Sequence, residues 1–455
     1  MSWTPTLTED DAPIYQRLVR ALASDVAAGV LAPGVRLPAQ RDLAFQLGLG
    51  VGTVTKAYAE AERRGLLAGH VGRGSFVAEA LGAPGAGILD MARNLPPAGP
   101  AETRLAAAMA RLARRGDLAA RLGYAPAGGF EADRAAGARW LAHIAGWGDL
   151  DPARVICAAG AQQAVAIALS AVCRPGDTLI AEAASFGGIM ALAAQMNFRL
   201  APTAIDGQGL TPGALDRAAA ETGARVCYVL PTHNPTTRVM GAKRRGEIVA
   251  VARARDLILI EDDLYGAYAM DLGLTPLARL APERVFHATS LSKTLSPGLR
   301  AGYLIAPTAG EGHERALSAL HAIAIGPPSF GLALASQWIE DGAATAILAE
   351  NRAEMAVRTQ MALDILGPAM ERPAADASLH AWLPMSEIAA ERVAARALRA
   401  SVEVTPPGAM ILDGTMISGL RVCLGGPANR GSLANGLRAV KAALAESGEA
   451  RRDIV

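Results

Sequence analysis

The stretch SLSKTLSPGLR, residues 290–300, sets Lys293 behind two serines, Ser290 and Ser292, and ahead of Arg300. A lysine carries the primary amine that can condense with an aldehyde and later exchange it for another amine. Neighbouring hydroxyls and a guanidinium suit an oxyanion, because the planar arginine fork matches phosphate geometry. One short segment could therefore hold an aldehyde and a phosphate at once. Three other stretches offer matching chemistry. THNPTT places Asn234 before a proline, EDDLY spaces Asp262 and Tyr265 three apart, and AGAQQ puts Gly160, Ala161 and Gln162 at a helix start, where free N–H groups bind phosphate. Singly, each has a plain reading as surface lysine, turn, capping pair or ordinary helix start. Their order and spacing carry the weight.

Positioning these groups needs strands that end together. Apolar runs at 178–182, 225–231, 257–263, 285–290 and 299–306 alternate with helical segments, the pattern of a mostly parallel sheet covered by helices, and 155–173 reads as a core strand, turn and helix. Ligands of open α/β sheets bind at the carboxyl ends of the strands, where the groups above fall. Beyond about residue 345 the strands become sparser, which predicts a smaller C-terminal α+β subdomain. Ahead of the α/β region, apolar spacing predicts helices over 13–29, 39–47 and 51–64, followed by a hairpin around GHVGRG. Three helices and a hairpin describe a winged helix-turn-helix. The expected division is 1–78 for this head, a Gly, Pro and Ala-rich linker over 79–94, and a body over 95–455, with its large part at about 95–345 and its small part at about 346–455.

Composition narrows the function classes. Of 455 residues, 51% are hydrophobic and 19% charged, with net charge +1, which excludes wholesale disorder and a polyanion-seeking surface over the whole chain. The head is different: residues 13–78 carry eight Lys and Arg against four Asp and Glu. Cys157, Cys173, Cys227 and Cys423 are scattered without metal-ligand spacing, so they read as reduced thiols, and no metal is expected. No leader or membrane-spanning pattern is evident, which predicts a cytoplasmic protein without membrane contact.

THNPTT, EDDLY and SLSKTLSPGLR resemble the signature series of fold-type I aminotransferases that use pyridoxal 5'-phosphate, over roughly residues 95–455. The head resembles GntR-family DNA-binding domains, and the two in this order resemble MocR-type transcription regulators. That resemblance implies an internal Schiff base at Lys293, Asp262 at the pyridine nitrogen, and Tyr265 and Asn234 at the ring phenolate. It also implies phosphate contacts from Gly160, Ala161, Gln162, Ser290, Ser292 and Arg300. Phe186 would stack on the ring or simply be core. Tyr124 would reach the neighbouring subunit's phosphate in a homodimer, or be an exposed turn residue. Arg421, a charge in an apolar strand, would take an effector carboxylate or sit in a structural ion pair. Thr237 departs from the family pattern, which has glycine there.

The head is expected to bind double-stranded operator DNA with Thr53, Thr55 and Lys56 at base edges, Arg36 and Arg41 on the backbone, and Arg73 at the hairpin tip. Gly50 and Val51 stand where the family commonly has Ser and Arg. Two functions remain open from sequence: a regulator sensing an amino compound by Schiff-base exchange at Lys293, and a working aminotransferase with an attached DNA-binding module.

Overall fold

The computed structural model describes residues 3–7, 13–27, 30–31, 34–63, 66–70, 74–77 and 87–445. The chain divides into two compact units, residues 1–87 and 88–455. In the first, helices α1 (Ile14–Ala27), α2 (Gln40–Leu47) and α3 (Val51–Arg63) precede an antiparallel pair, β1 (Leu67–His70) and β2 (Gly74–Val77). Leu18, Val19 and Leu22 from α1 and Val54, Ala57, Tyr58 and Ala61 from α3 form its core, the faces expected from their three- and four-residue spacing. Gly48 ends α2 with φ +63°, a left-handed cap that glycine adopts without a Cβ penalty. This is the winged helix-turn-helix. The first half of the expected linker, residues 79–86, and Arg73 lie outside the described residues.

The second unit opens with a departure from expectation. Leu89–Met91, assigned by composition to the linker, forms strand β3 and pairs in parallel with a strand over 300 residues later. Three residues give no periodicity to read, and pairing with so distant a partner is invisible locally. Helices α4 (Gly99–Leu112) and α5 (Glu131–Ala145) lead into the main sheet. Its members are β4 (Val155–Ala158), β5 (Thr178–Glu182) and β6 (Arg199–Thr203), then β9 (Val226–Val229), β10 (Ile258–Asp262), β11 (Val285–Ser290) and β12 (Gly302–Ile305). A small hairpin, β7 (Ile205–Asp206) with β8 (Gly209–Leu210), stands apart.

The seven strands run in the order β4-β12-β11-β10-β9-β5-β6, and all are parallel except β12, antiparallel to both neighbours. Every residue of β4, β9, β11 and β12 is buried, as required of strands covered on both faces. Strand β6 was not expected from sequence because RLAPT contains Pro202; it lies at the sheet edge, where a missing N–H costs no ladder bond. Helix α6 (Ala161–Val172) follows β4, and α7 (Gly187–Met196) follows β5.

A smaller α+β part follows the 24-residue helix Ala343–Leu366, with β13 (His380–Pro384) pairing antiparallel with β15 (Gly419–Cys423) and β14 (Val402–Val404) taking β3 as its partner. Leu379, Leu420, Val422, Leu433 and Leu437 form its separate core. The chain thus enters the body through its C-terminal part.

Gly302 shows how tightly the strand ends are gathered. A Cβ there would stand 2.7 Å from the Gly160 Cα and 2.8 Å from the Thr289 carbonyl oxygen. Gly302→Ala is expected to destabilise the body by about 1–3 kcal/mol through overpacking. Gly148→Ala, with nothing within 4 Å of the new methyl, should be neutral. Urea midpoints of the two variants against the parent check this.

Candidate functional site

The parallel strands deliver their following loops to one sheet edge, and the antiparallel β12 begins at that edge, so its preceding Arg300 arrives there too. Asp262 ends β10, Lys293 follows β11, Asn234 follows β9 and Gly160 caps α6. Lys293 sits in the turn after Ser290, whose hydroxyl donates to the Ala301 carbonyl and accepts from the Ser292 N–H at 3.1 Å each. Ser290 is thereby committed to holding the turn, while the partly exposed Ser292 keeps its hydroxyl 2.7 Å from that of Ser290.

The Lys293 ammonium donates to the backbone carbonyl of Asn94. Burial, then the nearby Arg421 guanidinium, bring its pKa down to about 8. The chain has only four lysines, and Lys56, Lys243 and Lys441 are its others. Asp262 is pushed the opposite way: burial raises its carboxyl to about 7 against the Tyr228 hydroxyl, which donates to Oδ2 at 2.5 Å. Its Oδ1 is buried and accepts no hydrogen bond among the described residues. The Tyr265 oxygen receives the Asn94 amide at 3.0 Å and the Asn234 amide at 3.5 Å, and burial holds its hydroxyl protonated far into the alkaline range.

Arg421 is 9% exposed and has no carboxylate within 4 Å among the described residues. Its guanidinium donates to neutral oxygens instead: Asn234 Oδ1 at 2.8 Å, and the Ala92 carbonyl and Thr405 Oγ1 at 3.1 Å each. The structural ion pair is therefore not what it makes. Its Nε is buried without a partner among the described residues.

The expected anion cradle assembles as a second cluster. Gly160, at φ +92°, lets the chain turn into α6, whose first-turn N–H groups lack helical acceptors. Arg300 lies against it, donating to the Ala159 carbonyl, and a Cβ on Gly160 would meet that guanidinium at 3.0 Å. The Gln162 side chain is engaged with the Gly188 carbonyl, which leaves its backbone N–H as the group on offer. Phe186 is half-buried against the adjoining core, and Gly188 makes room for its ring. Thr237 keeps φ at +63°, so the turn beside Asn234 retains the backbone shape a glycine would give. Tyr124 is 82% exposed and takes part in none of these contacts.

Sequence reasoning missed Asn94, His380 and Tyr228. Asn94 fell within the supposed linker, Tyr228 is one hydroxyl inside an apolar strand, and His380 is a lone polar residue on alternating β13; none carries a local signature.

In the head, Thr53 is half-buried, and Thr55 and Lys56 are exposed on α3. Thr55 donates to Gln40 at 2.8 Å, and the Lys56 ammonium lies 4.2 Å over the Tyr15 ring. Arg41 is exposed on α2, and Arg36 lies against Gly74.

Residues 86–435 match the aminotransferase class I and II model, about three quarters of the chain. The chain belongs to the class I and II aminotransferase family. Residues 14–77 match the gntR family of bacterial regulatory proteins, so this aminotransferase-family body carries a regulator's head, the MocR-type arrangement. The chain is 31% identical over 316 residues to the uncharacterized HTH-type transcriptional regulator YdeF of Bacillus subtilis strain 168, covering 68% of each. It is 28% identical to the HTH-type pyridoxine biosynthesis transcriptional regulator PdxR of Corynebacterium glutamicum, over 65% of this chain and 66% of that one. Among solved structures, LysN, an α-aminoadipate aminotransferase from Thermus thermophilus complexed with N-(5'-phosphopyridoxyl)-L-leucine, superposes with TM-score 0.67 and 25% identity, over 79% of this chain and 92% of that one. No described helix of this aminotransferase-family chain is long and apolar enough to cross a membrane.

A lysine with a depressed pKa is deprotonated, and nucleophilic, above that value. Reductive methylation of the protein without cofactor should reach half its maximum at Lys293 near pH 8, and Arg421→Ala should move that midpoint upward by removing a neighbouring cation. Peptide mass spectrometry across a pH series reads both.

Proposed function

We propose that this protein is a DNA-binding transcription regulator that holds pyridoxal 5'-phosphate at Lys293 and responds to an amino compound bearing a carboxylate. The observation that carries this reading is a buried guanidinium, Arg421, with no carboxylate of its own, one asparagine away from Tyr265 and close enough to Lys293 to depress its pKa. When bound, the cofactor supplies an aldehyde that condenses reversibly with primary amines and a ring that withdraws electrons.

The residues fit such a group. Asp262 Oδ1 is a buried acceptor awaiting a donor, as a protonated ring nitrogen would be, and the negative form of Asp262 is favoured by that partner. Tyr265 and Asn234 lie together where a phenolate oxygen could accept from them. The α6 N-terminus, Ser292 and Arg300 would hold the phosphate by N–H groups, a hydroxyl and a guanidinium. Phe186 would lie on the ring face. Tyr124 and an apolar groove of about 560 Å³ beside the 295–299 loop, with Leu105, Met109 and Phe330 partly exposed, support a homodimer.

Sensing requires that the amine favour one state of the protein over another, since equal affinity shifts nothing. Two backbone carbonyls supply that difference. Ala92 holds Arg421 and Asn94 holds Lys293, in the segment just after β3, the body's first strand after the head. A carboxylate on Arg421 must compete with Ala92, and transfer of the cofactor's aldehyde carbon from Lys293 to the amine would free the lysine amine to return to the Asn94 carbonyl. Residues 92–94 therefore change partners when the amine binds. In the head, Thr53, Thr55, Arg36, Arg41 and Arg73 would contact DNA, with Lys56 free to do so after leaving Tyr15.

A working aminotransferase is the second reading. The complete set of Lys293, Asp262, Tyr265 and Arg421, with the lysine pKa brought down to about 8, favours it.

Footprinting on the DNA upstream of the protein's own gene, with cofactor and a panel of amino acids, separates the two. Protection altered at least several-fold by one amino acid, and unaltered by it in Lys293→Ala or Arg421→Ala, is the expected result. Protection indifferent to every amine, together with multiple turnover of an amino donor and a keto acid, would reverse the assignment.

A further inference from the structure

One buried side chain in the site directs both N–H groups of its amide at two named partners, and that arrangement places a proton. Asn94 is 6% exposed, and its amide nitrogen stands 2.8 Å from His380 Nδ1 and 3.0 Å from the Tyr265 oxygen. An amide nitrogen only donates, so the histidine nitrogen facing it must be an acceptor, and His380 is neutral with its proton on Nε2. Burial, reinforced by the Arg421 charge, keeps the ring neutral by lowering its pKa. Both Asn94 N–H groups are then spent.

Were the amide turned over, its oxygen would face the lone pair of His380 Nδ1 and would capture the Tyr265 proton. With its proton on Nε2, the imidazole therefore favours the amide nitrogen as the end of Asn94 that meets the tyrosine. Packing supports the assembly: the His380 and Tyr265 rings meet edge-on, with centroids 5.6 Å apart at 77°. Because the Tyr265 oxygen accepts from Asn94 and from Asn234, its own proton is left to point at a third group.

We propose that His380 and Asn94 are positioning residues that lock Tyr265 as a hydrogen-bond donor toward the ring oxygen of the cofactor. The proposal rests on the reading that this site takes pyridoxal phosphate. The two residues act through Tyr265 and touch none of the reacting atoms themselves, apart from the Asn94 carbonyl on the Lys293 amine. The charged and titratable groups around them are Asp262 from β10, Lys293 after β11, Arg421 and Cys423 from β15, and His233 after β9.

A donor aimed at a phenolate oxygen stabilises the anion and so favours loss of the proton shared with the cofactor–lysine linkage, which lowers the pH midpoint of that linkage. Weakening the donor must raise it. The test is a spectrophotometric pH titration of the near-visible band of the full-length protein loaded with pyridoxal phosphate. His380→Phe and Asn94→Ala should each raise the midpoint by about one unit. His380→Asn, which keeps an acceptor near the place of Nδ1, should stay near the parent value and guards against a folding defect. In a Tyr265→Phe background, where there is no phenol to orient, His380→Phe should produce no further shift.

An unchanged midpoint in His380→Phe overturns the proposal, as does an equal shift with and without the Tyr265 hydroxyl, or a His380→Asn shift as large as that of the phenylalanine variant. A parent protein that develops no band with added cofactor sinks the underlying reading instead, so the two failures are distinguishable.

Discussion

Two cations, half-buried Lys293 and buried Arg421, share one site without a carboxylate bonded to either among the described residues. The effective penalty for removing an ion from water is several kcal/mol. A hydrogen bond between a charged group and a neutral partner returns about 1.5–3 kcal/mol. The one carbonyl of Asn94 thus offsets only part of the cost for Lys293, while the three neutral acceptors around Arg421 satisfy its donors without neutralising its charge, and the site stays electrically short of anions. Lys293 responds by giving up its proton near pH 8; Arg421, whose guanidinium holds its proton at any ordinary pH, cannot. A phosphate, a phenolate and a carboxylate are the species that would satisfy such a site, and the cradle at Gly160 and Arg300 extends the same demand.

The fold is organised around meeting that demand at one edge of a sheet. Parallel β4, β9, β10 and β11 end where the ligands are needed, and β12 runs backwards so that Arg300 can enter from the same side. Glycines at 160 and 302 let the strand ends close up to within contact of each other. The strap at 92–94 crosses from the C-terminal part to both cations and to Tyr265. Since that strap follows directly on the first strand of the body, the residues best placed to register a ligand are also the first that the chain reaches after its head.

Much of this was legible in the sequence. The strands over 178–182 and 285–290 were readable to the residue, because short apolar stretches, Leu179–Ala181 in one and Val285–Phe286 in the other, stand between helical segments. Lys293, Asp262, Tyr265 and Asn234 were singled out because each polar group falls at or just after a strand end, and Arg421 because it is a charge within an apolar strand. What escaped notice was held by distant partners: β3 by β14, Asn94 by His380 and Tyr265, Tyr228 by Asp262. Ser290 and Gln162 carry the right atoms for phosphate, yet their side chains are taken up by backbone groups, and spacing cannot show how a hydroxyl or an amide is spent.

The central claim is that one amine among four lysines captures the aldehyde. Incubating the full-length protein with pyridoxal 5'-phosphate, reducing with borohydride and mapping the adduct by peptide mass spectrometry tests it most directly. The account predicts a single phosphopyridoxyl group on Lys293, formed near neutral pH. Modification spread over Lys56, Lys243 and Lys441, or none on Lys293, would contradict it.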